Sequence, residues 1–378
     1  GAAYCCAADE HVDFDRVGVG DGDVVATGGI RLRVVATPGH THHHVSYVLD
    51  DSAGRPVAVF SGGSMLHGAT GRTDLAGAEH THALARAQFR SVRRLAAELP
   101  DDAEIYPTHG FGSFCAATPT TPGDTTVGRQ RTGNPALTRT EQEYVRILVA
   151  GLDAYPAYYV HMDPVNRKGP PAVDLDLPEA VDAATVRKRI DDGEWVVDLR
   201  ARRAFAAGHV AGSLGFELGD SFATYLGWLY RYGTPLTLIG DSIDQVARAR
   251  RELVRIGVDD LSGLAVGEAA DLAPDGLRSY RVSDFAGLAT AMLEGGAHVI
   301  DARQHGERAQ GAVPGSSHIP LHELADRMDE VPGGEVWVYC ASGYRASIVA
   351  SLLDRAGHEV VLVDDSWPQA VRLGLDRR

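Results

Sequence analysis

Val336-Trp337-Val338-Tyr339 running into Cys340-Ala341-Ser342-Gly343-Tyr344-Arg345 is the stretch on which the reading of this chain turns. Four apolar residues in succession suit a short strand buried on both faces of a parallel sheet. Ala341 to Tyr344 then form a tight loop, for which Ala341, Ser342 and Gly343 supply small side chains. Helical spacing follows from Arg345 to Ala356 through Ile348, Val349, Leu352 and Leu353, with Gly357 as a stop. Ligands of open α/β sheets bind at the carboxyl ends of strands, so Cys340 stands where chemistry is expected. The loop N–H groups, the helix N-terminus and Arg345 all favour an anionic sulfur. A free cysteine is more often inert core packing. Position, loop composition and the nearby arginine favour catalysis here. Cys5, Cys6 and Cys115 have no comparable setting, and no two cysteines form a CxxC pair.

Upstream of this stretch the chain repeats itself. Trp195-Val196-Val197-Asp198-Leu199-Arg200 matches His298-Val299-Ile300-Asp301-Ala302-Arg303, and Gly208, Val210 and Gly212 match Gly311, Val313 and Gly315 at the same offset. A strand ending in Asp-x-Arg, then a helix and a Gly-x-Val-x-Gly turn, predicts a small parallel-sheet domain, present twice. In the earlier copy the strand Pro235 to Ile239 leads into Gly240-Asp241-Ser242-Ile243-Asp244-Gln245. Gly240 stands at the cysteine position and Gln245 at the arginine position, so that copy has no thiol to carry sulfur. Tyr225, Trp228 and Tyr230 are candidates for an interface, with core packing expected of at least one.

The combination Cys-x-x-Gly-x-Arg after a strand, an Asp-x-Arg strand upstream and the turn Val313 to Ser316 resembles the rhodanese family over residues 275–378. The resemblance implies double displacement, in which Cys340 takes sulfane sulfur as a persulfide and passes it to an acceptor, with no cofactor. Arg345 would orient and stabilise the anionic sulfur, and Ala341, Ser342, Gly343 and Tyr344 would bind substrate. The family often has His where this chain has Ala312.

The first part of the chain reads as strands and turns (Ile30 to Ala36, Val45 to Leu49, 57–61), a helix from His82 to Leu99, a strand starting at Ile105-Tyr106 and a helix from about Thr140 to Ala150. Thr37-Pro38-Gly39-His40-Thr41 and Tyr106-Pro107-Thr108-His109-Gly110 place imidazoles at strand ends. With Gly71-Arg72-Thr73-Asp74-Leu75 and Asn134-Pro135-Ala136-Leu137, this stretch resembles the metallo-β-lactamase fold, in its persulfide dioxygenase and glyoxalase II-like branch. The resemblance implies Fe(II) or Zn, with His40 and His109 as ligands. Two departures stand out. The family's His-x-His-x-Asp-His motif occurs nowhere, as expected if the N-terminal part of the domain is absent. Its Phe-Thr-Gly-Asp carboxylate is replaced by Phe60-Ser61-Gly62-Gly63. Mononuclear iron held by two His and one carboxylate would lack that carboxylate. His42 to His44 are not expected to substitute as a set, because strand neighbours face opposite ways.

The expected architecture is therefore α/β and multidomain: a partial metallo-β-lactamase αββα sandwich (1–165), a proline-rich linker (166–180), a cysteine-less rhodanese-like domain (181–270) and a rhodanese domain bearing Cys340 (275–378). This order resembles bacterial persulfide dioxygenase–sulfurtransferase fusions of sulfide detoxification. Thiol persulfide or thiosulfate are the expected donors, and a thiol, sulfite or cyanide the acceptors. A glutathione-thioester hydrolase at a dinuclear metal, or a metal-free docking module, are the alternatives for the N-terminal domain. Gly63 weighs against the hydrolase too, since that carboxylate bridges the metals.

The bulk properties agree. A net charge of −15 argues against a nucleic-acid partner. No run of residues is apolar enough to span a membrane, and the chain opens without a signal-peptide pattern. A cytoplasmic setting fits the cysteine usage. Self-association as a homo-oligomer stays open.

Overall fold

Alternating β-branched residues and glycine turns organise the N-terminal sheet. A computed structural model describes residues 2–108 and 126–376, so His109 and Cys115 lie outside the described residues. The chain folds as two compact units, Gly1–Tyr155 with Val165–Gly169, and Pro156–Pro164 with Pro170–Arg378.

In the first unit five strands run in the order Val24–Thr27, Ile30–Ala36, Val45–Asp50, Pro56–Gly62, Glu104–Pro107. The first three pairings are antiparallel and the last is parallel. Val35, Val48 and Val59 are fully buried, and the helix Thr81–Glu98 covers them with Ala85, Phe89, Val92 and Leu95 at helical spacing. The helix Glu141–Ala150 adds Tyr144 and Leu148 to this core, and its start is held by a capping box between Thr140 and Glu143. His42 and His43 lie in a turn, because the strand begins only at Val45. Their side chains are therefore not held to the alternation of a strand.

The second unit holds two parallel sheets. One has four strands in the order Leu214–Gly215, Trp195–Asp198, Leu236–Gly240, Gly263–Val266. The other has five, in the order Arg281–Ser283, Glu359–Val363, Glu335–Tyr339, His298–Asp301, Ser317–His318. Apart from the extra edge strand the two orders correspond, and so does their chemistry. Asp198 accepts from the Arg200 side chain, whose Nη2 also donates to Gly208 O at 2.9 Å. Asp301 accepts from Arg303, whose Nη2 donates to Gly311 O at 2.7 Å. Each Asp-x-Arg thus ties a strand end to the glycine turn eight residues beyond the arginine. The linker expected over 166–180 begins inside a helix, Tyr159–Lys168, which carries Pro164 within it. No helix among the described residues is long and apolar enough to cross a membrane.

Candidate active site at the end of a parallel strand

The strand Glu335–Tyr339 is buried almost throughout, and Cys340 follows it with 1% of its surface exposed. Cys340 belongs to the apolar core with Val338, Ala302 and Ile348, while the chain returns to solvent at Ser342. The helix Tyr344–Arg355 starts at once behind the loop, with Gly343 as its N-cap at φ +84°. Among the described residues, the backbone N–H groups of Ala341 through Ala346 donate no hydrogen bond; the next, Ser347 N, donates to Gly343 O at 2.9 Å. Such a run of unpaired donors at a helix N-terminus suits an anion. Gly343 is needed twice over. Its φ is unfavourable for side chains, and an added Cβ would overlap Asp364, with the Asp364 Cα 3.1 Å away. Gly343→Ala is expected to cost about 1–3 kcal/mol, measured by urea unfolding.

Arg345 does not stand alone. Its guanidinium donates two hydrogen bonds to Glu307, at 2.5 and 2.8 Å. Burial pushes the Arg345 pKa down, but Glu307 and the neighbouring Cys340 and Tyr225 more than reverse this, so the guanidinium stays charged. Its charge therefore reaches the loop as half of a nearly neutral pair, and not as the lone cation expected from sequence. Glu307 itself was missed. The available signal was joint loss: the earlier copy has Ala204 at the Glu307 position and Gln245 at the Arg345 position.

The earlier copy shows what closing the anion site looks like. Asp241 N donates to Gln245 Oε1 at 2.7 Å, Gln245 N donates to Ser242 Oγ at 3.2 Å, and Gln245 Nε2 donates to Leu199 O at 3.1 Å. Two of the loop amides, Asp241 N and Gln245 N, are here satisfied by the loop's own side chains, whereas Ala341 N and Arg345 N donate no hydrogen bond.

That copy nevertheless supports the Cys340 loop. Asp364, packed behind Gly343, accepts from Arg202 Nε at 2.7 Å and Arg203 Nε at 2.5 Å. The Tyr344 hydroxyl donates to Glu217 O at 2.6 Å. Fully buried His209 stands at the position equivalent to Ala312, and it bonds Asp354 in the helix Tyr344–Arg355 at 3.1 Å. Of the three aromatics weighed for an interface, Tyr230 packs in the core. Tyr225 and Trp228 reach Tyr344 and His322.

In the first unit, His40 is 8% exposed and its Nδ1 is 2.8 Å from Arg72 O. Burial pushes the His40 pKa down, only partly offset by that carbonyl, and keeps the ring neutral at neutral pH. Gly63 N donates to His44 Nε2 at 3.1 Å, and Gly63 O accepts from Gln88 Nε2 at 3.0 Å. A Cβ on Gly63 would overlap the His40 ring, with His40 Cγ at 2.5 Å.

Residues 286–372 match the Rhodanese family model, described as a rhodanese-like domain. The C-terminal domain is rhodanese-like. Ahead of it the chain is similar to persulfide dioxygenase ETHE1, mitochondrial, of Homo sapiens, at 33% identity over 37% of this chain and 46% of that protein. It is also similar to hydroxyacylglutathione hydrolase of Rhodopseudomonas palustris (strain BisB5), at 38% identity over 25% of this chain and 32% of that one. The chain spans about half the length of the curated persulfide dioxygenases it matches. Among solved structures, a metallo-beta-lactamase from Staphylococcus aureus subsp. aureus COL superposes with a TM-score of 0.59 at 25% identity. That alignment covers 68% of this chain and 74% of the other, more than the first unit contains, so it extends into the unit carrying the rhodanese-like domain. The chain thus joins a metallo-β-lactamase-like N-terminal region to a rhodanese-like C-terminus.

The metal expected of the N-terminal region can be tested against the residues present. Among the described residues no group of three His, Cys, Asp or Glu side chains is placed to hold a metal. At the family's carboxylate position the His40 ring lies against the Gly63 α-carbon, filling the room a side chain there would need. His40 is a single imidazole, and His109 lies outside the described residues. The described residues do not fit the two-His, one-carboxylate set. Gly63→Asp is expected to force His40 off Arg72 O and to destabilise the first unit by about 1–3 kcal/mol, read by urea unfolding, without raising the iron or zinc content found by elemental analysis.

Proposed function

We propose that the chain is a sulfurtransferase in which Cys340 carries sulfane sulfur as a persulfide between a donor and a nucleophilic acceptor. The observation that supports this most directly is the run of unpaired backbone N–H groups after Cys340, set against the side-chain-filled loop of the earlier copy. A thiolate and a persulfide each carry one negative charge, which those donors and the helix N-terminus stabilise equally. The loop therefore serves both forms of the enzyme. In the first half-reaction the Cys340 thiolate attacks the outer sulfur of the donor, the donor's S–S bond breaks, and its remaining sulfur leaves with the electron pair. In the second, the acceptor attacks the outer sulfur of the Cys340 persulfide and returns the thiolate. Arg345, held by Glu307, keeps the first helical turn in place and adds a screened positive charge.

Similarity to persulfide dioxygenases ahead of the rhodanese-like domain supports sulfide detoxification as the setting, with thiol persulfide, thiosulfate and sulfite as small-molecule partners. The free thiols Cys5, Cys6 and Cys340 suit a reducing, cytoplasmic compartment. Residues 181–270 are proposed as a cysteine-less rhodanese-like module. The packing of His40 on Gly63 favours a second reading for the first unit alone, as a docking module for a sulfur carrier. Turnover of thiosulfate with cyanide, and of persulfide with sulfite, by the full chain tests the main proposal, and no turnover of either pair would overturn it.

A further inference from the structure

The two copies carry charges that answer each other. Aligned through Asp198 and Asp301, Arg202 and Arg203 of the earlier copy stand where the later one has His305 and Gly306. Strand register sets Val266 of the earlier copy, which pairs with Gly240, against Asp364 of the later. The pairing of Val338 with Leu362, carried two residues on, brings Asp364 level with Cys340. The two arginines and the aspartate that binds them thus lie in different copies. In the folded chain they meet. Arg202 Nε donates to Asp364 Oδ1 at 2.7 Å and Arg203 Nε to Oδ2 at 2.5 Å, while Arg202 Nη1 also donates to Glu217 at 2.6 Å.

Without these cations Asp364 would work against the Cys340 loop. Its side chain is 5% exposed, and its Cα and Cγ lie 3.1 and 3.3 Å from where a Cβ on Gly343, the N-cap of the helix Tyr344–Arg355, would stand. Water therefore screens its charge poorly. A helix N-terminus with unpaired N–H groups takes a carboxylate as readily as other anions, and a like charge nearby disfavours a second anion. Yet among the described residues no loop N–H donates to Asp364, and both carboxylate oxygens are taken by arginines of the cysteine-less copy. Arg202, Arg203, Asp364 and Glu217 together are neutral; with the arginines removed, two carboxylates are left beside the loop.

Resting on the sulfur-transfer reading above, we propose that Arg202 and Arg203 are positioning residues for that reaction. They hold the Asp364 carboxylate off the loop amides and cancel its charge, which leaves those amides to the sulfur anion on Cys340. The copy without a cysteine thereby sets the reactivity of the copy that has one. Both arginines act through Asp364 and not as ligands of the donor.

The test follows sulfur loading of Cys340 in a single turnover of the full chain, from thiosulfate and separately from glutathione persulfide, read by quenching and mass spectrometry. The faster donor serves for the comparison. Arg202→Ala together with Arg203→Ala should slow loading about tenfold or more, the scale of one uncompensated carboxylate near the reacting sulfur. Adding Asp364→Asn to that pair should restore most of the lost rate, because the charge that the arginines cancelled is gone. A purely structural contact would not be repaired by removing a further member of it. Arg203, 68% exposed, can also be removed singly, with the fold checked by far-UV circular dichroism. Arg203→Ala should show a smaller slowing, again reversed by Asp364→Asn. Loading of the double variant at the wild-type rate would overturn the proposal, and so would a slowing that Asp364→Asn leaves in place. Wild-type protein that takes up no sulfur on Cys340 from either donor would instead overturn the sulfur-transfer reading.

Discussion

Cys340→Ser is expected to reduce sulfur transfer roughly a thousandfold or more, because Cys340 is the only cysteine of residues 156–378. Serine is nearly isosteric, and it keeps the strand end, the αL glycine and the helix start. Far-UV circular dichroism should therefore match wild type while turnover is lost. Wild type treated with donor should gain the mass of one sulfur atom on the peptide containing Cys340, and the variant should gain none there. Sulfur found instead on Cys5 or Cys6, with turnover intact, would show that the loop amides serve some other anion.

Asp301→Ala is the substitution with the largest expected cost in stability. Asp301 is fully buried and accepts from Arg303 N, Nε and Nη2 at 3.0, 2.9 and 2.8 Å, from Arg308 Nη1 at 3.2 Å and from the Tyr339 hydroxyl at 2.7 Å. Arg303, 1% exposed, lies flat on Trp367 at 3.7 Å. Removing the carboxylate leaves a buried guanidinium without its counter-charge, a change that costs about 3–5 kcal/mol. For a unit of this size that lowers Tm by roughly 10 °C. Asp301→Asn, which keeps an acceptor oxygen, should lose less. A loss below about 1 kcal/mol for the alanine variant would mean that water reaches Arg303 and that the pair is not a structural centre.

The same carboxylate sets a pH dependence. Burial pushes the Asp301 pKa up, but Arg303 and the Tyr339 hydroxyl outweigh burial and leave it below the ordinary aspartate value. Glu307 behaves alike, with Arg345 overriding burial. A carboxylate whose folded-state pKa is depressed stabilises fully above its unfolded-state value and loses that contribution as pH falls through the folded one. Stability of the second unit should therefore be flat with respect to these groups near neutrality and fall below about pH 4, a trend that Tm measured against pH would show.

Much of the C-terminal site was readable in one dimension because its parts are local. The apolar run, Cys340, the small loop residues and the helical spacing are consecutive, so periodicity and turn chemistry place the thiol at a strand end before a helix. The Asp-x-Arg repeat was equally legible, since its hydrogen bonds span only two to eight residues. Glu307 was not, because its partner Arg345 lies 38 positions away and only folding brings them together. Nor was the contact of Tyr225 with Tyr344, which depends on how one helix of the cysteine-less copy meets the Cys340 loop. The helix Tyr159–Lys168 was hidden by Pro164, which cannot donate a helical hydrogen bond and reads residue by residue as a break.

Residue order alone determined the fold class, the repeat and the place of Cys340 at a strand end before a helix, since each rests on spacings shorter than a strand and a helix. Folding decided the electrostatics and the shape of the site. Whether Arg345 acts as a free cation, whether Gly63 leaves room for a metal ligand, and which side chains face the sulfur all depend on contacts between distant segments. Charge and volume at a point in space are sums over every group that packs there, and no local stretch contains that sum.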